Sequence, residues 1–245
     1  KNESGQFVDL IYPVTGKPLG WANWKSIPIE IGDYGVVNRK TGEFEVDGNI
    51  FGPKVKDSLK SMNPAMDLDQ YLPKLGEPEK DFVISSEGVT SCDFDSGPGV
   101  EIPGIARAGL KGRWKFVKGK RGVLLVMRHP RRTSIPSGIL GTLTTLPELN
   151  GKHIVSTVFS CPAYFIYSSD RTGESVSIAL VSQESTVSTA ENTDKEMVAS
   201  EWWTDASSSR RIHKGYDNTG RYSFTPLCAL RRKALPFRQF FRYEG

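Results

Sequence analysis

The sequence predicts an α+β fold: a twisted antiparallel sheet with peripheral helices and two long amphipathic hairpins. Three observations carry this expectation. Most of the regular patterning alternates at period two, helical spacing surfaces only in short stretches, and turn residues separate the alternating runs. At 38% hydrophobic and 24% charged residues in 245 the composition is globular, and 24 Gly with 15 Pro fall short of a low-complexity signature. No window approaches 18 consecutive apolar residues, which excludes a transmembrane helix. A transmembrane β-hairpin is not excluded, because its strands need only about ten alternating residues. With no internal repeat and no clear linker, one domain over residues 1–245 is expected.

Taken in order, Ser26–Val37 alternates and then turns at Asn38–Gly42 into Glu43–Ile50, which reads as a hairpin. Residues 53–80 are polar and broken by proline, with one or two helical turns around Val55–Met62. Val83–Thr90 is a short strand. The most ordered pattern follows. Ala106, Ala108, Leu110, Gly112, Trp114 and Phe116 fall on one face of a strand, and Arg107, Gly109, Lys111, Arg113, Lys115 and Val117 on the other. Lys118–Gly122 is a turn and Val123–Arg128 the return strand, which makes a long hairpin with one basic face. Ile139, Leu140, Leu143, Leu146 and Leu149 recur at helical spacing, so Ser137–Thr145 is a short helix ended near Pro147. His153–Ser169 carries no formal charge and is rich in β-branched and aromatic residues. Asp170–Glu174 has turn chemistry, and Ser175–Ser182 alternates Val176, Ile178 and Leu180 with small residues: a second amphipathic hairpin. The capping box Thr193-x-x-Glu196 opens an acidic helix to about Trp203, and Ser207–Arg210 is a loop. The tail Leu227–Tyr243 mixes Arg231, Arg232, Lys233, Arg238 and Arg242 with Phe237, Phe240 and Phe241. It suits an amphipathic membrane-surface segment or a docked basic helix.

The net charge of +4 hides two basic blocks. Residues 105–132 carry 10 basic and no acidic side chains, and residues 210–245 carry 9 and 2. The intervening and preceding segments are acidic: residues 81–104 hold 5 acids and no base. Such blocks meet phosphate on nucleic acid or lipid, or form a solvated face balanced by the acidic segments. Cys92, Cys161 and Cys228 are an odd number without a CxxC pair, and they read as buried thiols of a reduced, cytosolic protein. Residue 1 is Lys rather than Met, so the natural start is expected to be trimmed, and the sequon at Asn2 says little.

Motifs for catalysis are weak. Asp95-Ser96-Gly97 matches the core of an aspartic protease loop, but Asp93 precedes it and Pro98-Gly99 follow, as in a surface turn. His129, His153 and His213 form no metal-binding pair, and Gly119-Lys120 and Gly151-Lys152 lack the context of a phosphate loop. The expectation is a protein that is not an enzyme and needs no cofactor or metal. The hairpins allow three readings. They are strands of a soluble sheet with the apolar face inward, a basic sheet for nucleic acid, or a membrane wall. Base stacking needs aromatics among the cations, whereas Trp114 and Phe116 share the opposite face. A barrel wall wants one apolar and one polar face, and Lys or Arg on lipid costs about 2–4 kcal/mol at the midplane, so Lys111, Arg113 and Lys115 would line water.

Ile29-Glu30-Ile31-Gly32-Asp33-Tyr34-Gly35, the segment Leu110–Phe116 through Gly122–Val126, and Lys152–Tyr167 with Cys161-Pro162-Ala163-Tyr164 together resemble the pore-forming domain of gasdermins. The likeness is greatest to the short gasdermin-like regulators of cell death in fungi, and it runs loosely from about residue 26 to 205. The resemblance implies a chain that binds acidic phospholipids of the inner leaflet, oligomerises with itself or a related gasdermin-like chain, and moves from cytoplasm to plasma membrane. There it extends two hairpins per subunit, here about Gly99–Arg128 and His153–Ser182, into a lytic β-barrel. Lipid-binding or lumen-lining residues would be Lys111, Arg113, Lys115, Lys118, Lys120, Arg121, Arg128, Arg131 and Arg132. The apolar wall would use Leu110, Trp114, Phe116, Val158, Phe165, Val176, Ile178 and Leu180. On this reading a charge at Leu110 or Ile178 spares lipid binding and blocks permeabilisation. Two departures stand out. A 245-residue chain leaves no room for the C-terminal inhibitory domain of animal members, so control would come from a partner, as in fungal self/non-self recognition. Phe7–Trp24 is aromatic and interrupted by proline, unlike the basic first helix of those members. The alternative is a soluble basic module that uses residues 105–132 and 210–242 to bind nucleic acid or another anionic partner, whereas the pore reading expects no nucleic acid.

Overall fold

The computed structural model describes residues 21–23, 28–38, 40–95, 100–102, 105–170, 173–182, 200–206 and 212–232. Among these residues the fold is α+β, with antiparallel sheets and two short α-helices. The first strands are β1 (Trp21–Ala22), β2 (Asp33–Val37) and β3 (Phe44–Asn49), followed by α1 (Pro53–Met62). Next come β4 (Lys74–Pro78), β5 (Phe82–Ser85), β6 (Val89–Asp95), β7 (Val100–Ile102) and β8 (Ile105–Phe116). β9 (Val123–Arg128) and β10 (Arg131–Ser134) lead into α2 (Ser137–Leu143). Then β11 (His153–Cys161), β12 (Ala163–Ser168), β13 (Glu174–Ser182), β14 (Ser200–Thr204), β15 (Ile212–Tyr216) and β16 (Phe224–Arg231) complete the order.

Three sheets result. The first runs β1-β16-β11-β10-β4, with β2 on β11 and β3 on β2; the second runs β15-β12-β9-β5; the third runs β14-β13-β8-β6, with β7 on β8. The second sheet is the middle layer. Leu124 and Val126 of β9 and Phe165 and Tyr167 of β12 pack against Leu110, Trp114, Phe116, Val176, Ile178, Leu180 and Trp202 of the third sheet. The alternate residues Val123, Leu125, Met127, Tyr164 and Ile166 pack on Cys161 and Leu227 of the first sheet. The helices cover another part of the first sheet, through Val55, Leu59, Ile139 and Leu143 against Tyr34 and Ile154.

Several expected elements are present: the β2–β3 hairpin, the helix near Val55–Met62 and the helix at Ser137. The first turn of the I-E-I-G-D-Y-G segment explains its own residues. Gly32 takes φ +85°, and a side chain there would strike the Phe51 ring. The Asp33 carboxylate accepts from the Glu30 N–H at 2.7 Å and the Asn49 amide at 3.0 Å.

The two long hairpins are corrected. β8 and β9 do not pair with each other, and neither do β12 and β13. Each couple is an arch that crosses from one layer to the next. The partners are instead β8 with β13 and β9 with β12, both antiparallel. The physical reason lies in β9: Val123–Met127 are all buried, so this strand is apolar on both faces and must lie between two layers. A two-stranded hairpin leaves one face to water. The arch turns are tied together, because the Gly122 N–H donates to Ser169 Oγ at 3.0 Å and the Ser169 N–H to the Gly122 carbonyl at 2.9 Å.

Other expectations are also revised. Val83–Thr90 is two strands, β5 and β6, split by a turn in which the Val89 N–H donates to the Ser86 carbonyl. Ser200–Trp203 is strand rather than helix, and the capping box at Thr193 lies outside the described residues. Phe224–Arg231 is β16, placed between β1 and β11, rather than a membrane-surface or docked helix. Residues 1–20, 207–211 and 233–245 lie outside the described residues. Cys161 and Cys228 are buried as expected, whereas Cys92 is exposed.

Candidate functional site

The basic block of residues 105–132 does not form one surface. β9 is six residues long, about 20 Å at the strand rise of 3.3 Å, and its two ends carry separate groups of cations. At the arch end lie Lys118, Lys120 and Arg121, all exposed, with Lys115 one turn back on β8 and also exposed. This turn is built by sequence: Gly119 takes φ +83°, and the Val117 N–H donates to the Gly88 carbonyl at 2.9 Å. Long charged side chains on a turn of this kind lose nothing by pointing into water, and they are available to phosphate.

At the far end two of the three arginines are already engaged. Arg128 donates from Nη1 to the Gly109 carbonyl at 2.9 Å, and the Arg131 guanidinium stacks 4.4 Å from the Tyr222 ring centre. Arg132 is exposed on the short strand β10. Of the nine cations expected to act together, the structure thus groups four at the arch tip and sets Arg128, Arg131 and Arg132 about a strand length away.

Lys111 and Arg113 belong to a third setting, the outer face of the third sheet. There β6 brings Asp95 opposite Lys111 and Asp93 opposite Arg113. An irregularity between Ser91 and Asp93 makes this register possible, since the extra residue, Cys92, turns the following side chains over. Without it both aspartates would fall on the face of Leu110 and Trp114; with it the Phe94 ring rests against Trp114, 6.0 Å between ring centres, and is still 37% exposed at the rim of the outer face. Cross-strand pairs of opposite charge contribute about 0.2–1 kcal/mol each, so these two cations are locally compensated. On the other side Ser177 follows Arg113, whose Nε lies 3.3 Å from Ser177 Oγ, and the Ser177 N–H donates to Asp205 at 2.6 Å.

The apolar set is gathered more completely. Leu110, Trp114, Phe116, Phe165, Val176, Ile178 and Leu180 are all buried in one core between the second and third sheets. Val158 sits apart, with Ile29, Phe44, Val155 and Cys228 on the first sheet. Edge-to-face contact between Phe116 and Tyr167 at 5.1 Å and the tilted pair Phe165–Trp202 at 5.6 Å link the two layers. Each such side chain contributes about 1.5–3 kcal/mol when buried. Exposing the seven to water would therefore cost on the order of 10–20 kcal/mol.

Sequence reasoning missed the outer-face role of Trp203 and Asp205. The signal was available in Ser200-Glu201-Trp202-Trp203: in a strand, adjacent tryptophans point to opposite faces. Trp202 is 3% exposed and Trp203 is 40% exposed. Among the described residues no helix is long and apolar enough to cross a membrane. No protein-family model, no curated protein and no solved structure matches this chain.

Proposed function

We propose that this chain is a pore-forming protein of the gasdermin type. It binds acidic lipid through Lys115, Lys118, Lys120 and Arg121, oligomerises with itself or a related chain, and opens both arches into membrane-spanning hairpins. The observation that supports this reading is the pairing of the two arches with each other. β8 pairs with β13 over the stretch that presents Leu110, Trp114, Val176, Ile178 and Leu180 to one side and Lys111, Arg113 and Lys115 to the other. That ladder already has an apolar and a polar face. Swinging β9 and β12 out of the middle layer to take the places of β6 and β14 on its two edges would give a four-stranded wall, β9-β8-β13-β12. The two-sided apolarity of β9 is the term against such a wall, unless its second face meets a neighbouring element in the oligomer.

Energetics set the order of events. The core between the second and third sheets costs on the order of 10–20 kcal/mol to expose to water, so the arches open only where lipid replaces the lost contacts. Electrostatic attachment at the arch tip therefore precedes insertion. On this reading the chain is cytoplasmic at rest and acts at the plasma membrane, where leakage kills the cell.

The deciding experiment is dye release from liposomes with and without acidic lipid, at several salt concentrations. Release that depends on acidic lipid and weakens with salt is the expected result. Acidic-lipid binding without release would mean that the isolated chain is held closed until a partner arrives. Neither binding nor release would leave a soluble three-layer sheet protein, and the pore reading would be abandoned.

A further inference from the structure

The outer face of the third sheet, the polar side of the β8–β13 ladder, holds a cleft of about 280 Å³. Its side chains come from every full strand of that sheet: Asp93 and Asp95 from β6, Lys111 and Arg113 from β8, Ser177 from β13, and Trp203 with Asp205 from β14 and its end. The cleft exists because β13 contributes only small residues to this face. Ser177 and Ala179 stand in the rows where β8 places Arg113 and Lys111 and β14 places Trp203 opposite Ala179. A sheet face that was merely solvated would carry long charged side chains across those positions.

The lining has two poles. On the β8 side stand an ammonium and a guanidinium, and on the β14 side an indole 40% exposed with the Asp205 carboxylate beside it. An indole face next to a carboxylate attracts an organic cation. Lys111 and Arg113, their charge offset across the ladder by Asp95 and Asp93, still offer donors to an anion, the guanidinium in particular as a fork. The poles are two strands apart, about 9–10 Å between backbones at the usual strand spacing and less between side-chain tips. The volume is at the lower end for ligand pockets, which admits a headgroup-sized molecule and is small for a nucleotide. With three carboxylates and two cations the lining is nearly neutral, which suits a ligand without net charge.

We propose that this cleft binds a small zwitterion, an ammonium joined by a short linker to a phosphodiester or carboxylate, with glycerophosphocholine as the representative. The proposal does not rest on the pore reading, since it concerns the folded chain with β6 and β14 in place and a ligand without net charge. The ammonium sits against Trp203 and Asp205, and the anionic group lies between Lys111 and Arg113.

The test is calorimetric titration of the full chain with glycerophosphocholine, glycerophosphoethanolamine, choline and inorganic phosphate. Binding of the first two, stronger than that of either fragment, is expected. Trp203→Ala should weaken it by about fivefold to thirtyfold, the loss of one cation–π contact, with Trp203→Tyr restoring most of the affinity. Asp205 also holds the Ser177 N–H, so Trp203 is the cleaner position, and an unchanged thermal midpoint checks the fold. Choline or phosphate binding as tightly as glycerophosphocholine would overturn the zwitterion, as would binding indifferent to Trp203 or none at millimolar ligand. Sedimentation with pure phosphatidylcholine vesicles then separates the sources. Pelleting that needs Trp203 assigns a membrane headgroup, and binding of the soluble ligand without pelleting assigns a free metabolite; either supports the site.

Discussion

Single residues decide whether β8 can face the core at all. The Trp114 ring lies back over Gly112 on the same face of the strand, and a methyl group at Gly112 would sit 2.1 Å from it. Trp114 is fully buried and has nowhere to move, so Gly112→Ala should destabilise the protein by about 1–3 kcal/mol, as overpacking does. A lower urea midpoint with an unchanged slope is the expected reading; an unchanged midpoint would mean that the core yields. His153 gives a second prediction. Its Nδ1 is buried without a hydrogen-bond partner, and burial, with Arg232 second, holds its pKa below 6.5. The unfolded chain therefore takes up a proton more readily than the folded one, so stability falls as pH drops through 6.5 and goes on falling until the folded-state value is passed. Urea midpoints from about pH 8 to pH 5 should show this slope, and His153→Gln should reduce it; an equal slope in the variant would assign it to other groups. The residue scale also revises a test. Leu110 and Ile178 are 0% and 1% exposed, and an uncompensated carboxylate there costs several kcal/mol. Ile178→Asp would thus unfold the soluble protein instead of separating lipid binding from leakage.

Elements were legible from period and turn chemistry, and their partners were not. The face of β8 that holds Leu110, Trp114 and Phe116 follows from alternation alone, as does α2 from its leucine spacing. What alternation cannot give is the strand across the ladder. Lys118–Gly122 joins β8 to β9 whether the chain folds back in the same sheet or steps to the next layer. The cue for the second outcome was that Val123-Leu124-Leu125-Val126-Met127 does not alternate, and a strand apolar on both faces belongs to a middle layer. β16 was misread for a related reason, since its flanking arginines outweighed the central Leu227 and Cys228, both fully buried. The arches themselves can be locked. Val123 and Ser168 face each other across β9 and β12, so Val123→Cys with Ser168→Cys, in a Cys92→Ser background, allows a disulfide that holds the resting pairing. If opening the arches makes the pore, the oxidised form should bind acidic vesicles normally and release little dye, and reductant should restore release. Equal release from the oxidised and reduced forms would show that β9 and β12 stay paired, and the proposed wall would fail.

Across the whole molecule the fold redistributes a charge pattern that is simple along the chain. The acidic stretch 81–104 and the basic stretch 105–132 are neighbours in sequence, and pairing β6 with β8 folds them onto each other. Asp93 and Asp95 then compensate Arg113 and Lys111, whereas the arch tip projects beyond the end of that ladder, which closes at Val89 opposite Phe116. At this end of the 105–132 block the uncompensated charge thereby falls on Lys115, Lys118, Lys120 and Arg121, a conclusion that composition could not reach because it depends on register. This ranks the cations. A basic residue near an acidic bilayer contributes about 1 kcal/mol, so converting Lys118, Lys120 and Arg121 to Glu removes at least about 3 kcal/mol, roughly a hundredfold in affinity for acidic vesicles. Neutralising Lys111 and Arg113 to Gln should change that affinity by less than about threefold, because with Asp95 and Asp93 opposite them the four charges sum to zero and each cation contributes well below the ~1 kcal/mol of an uncompensated one. Co-sedimentation at low and high salt measures both, and added salt should shrink the difference between them as it screens the tip. If the Gln pair loses more affinity than the Glu triple variant, the outer sheet face and not the arch tip meets the membrane, and β6 must leave β8 before binding.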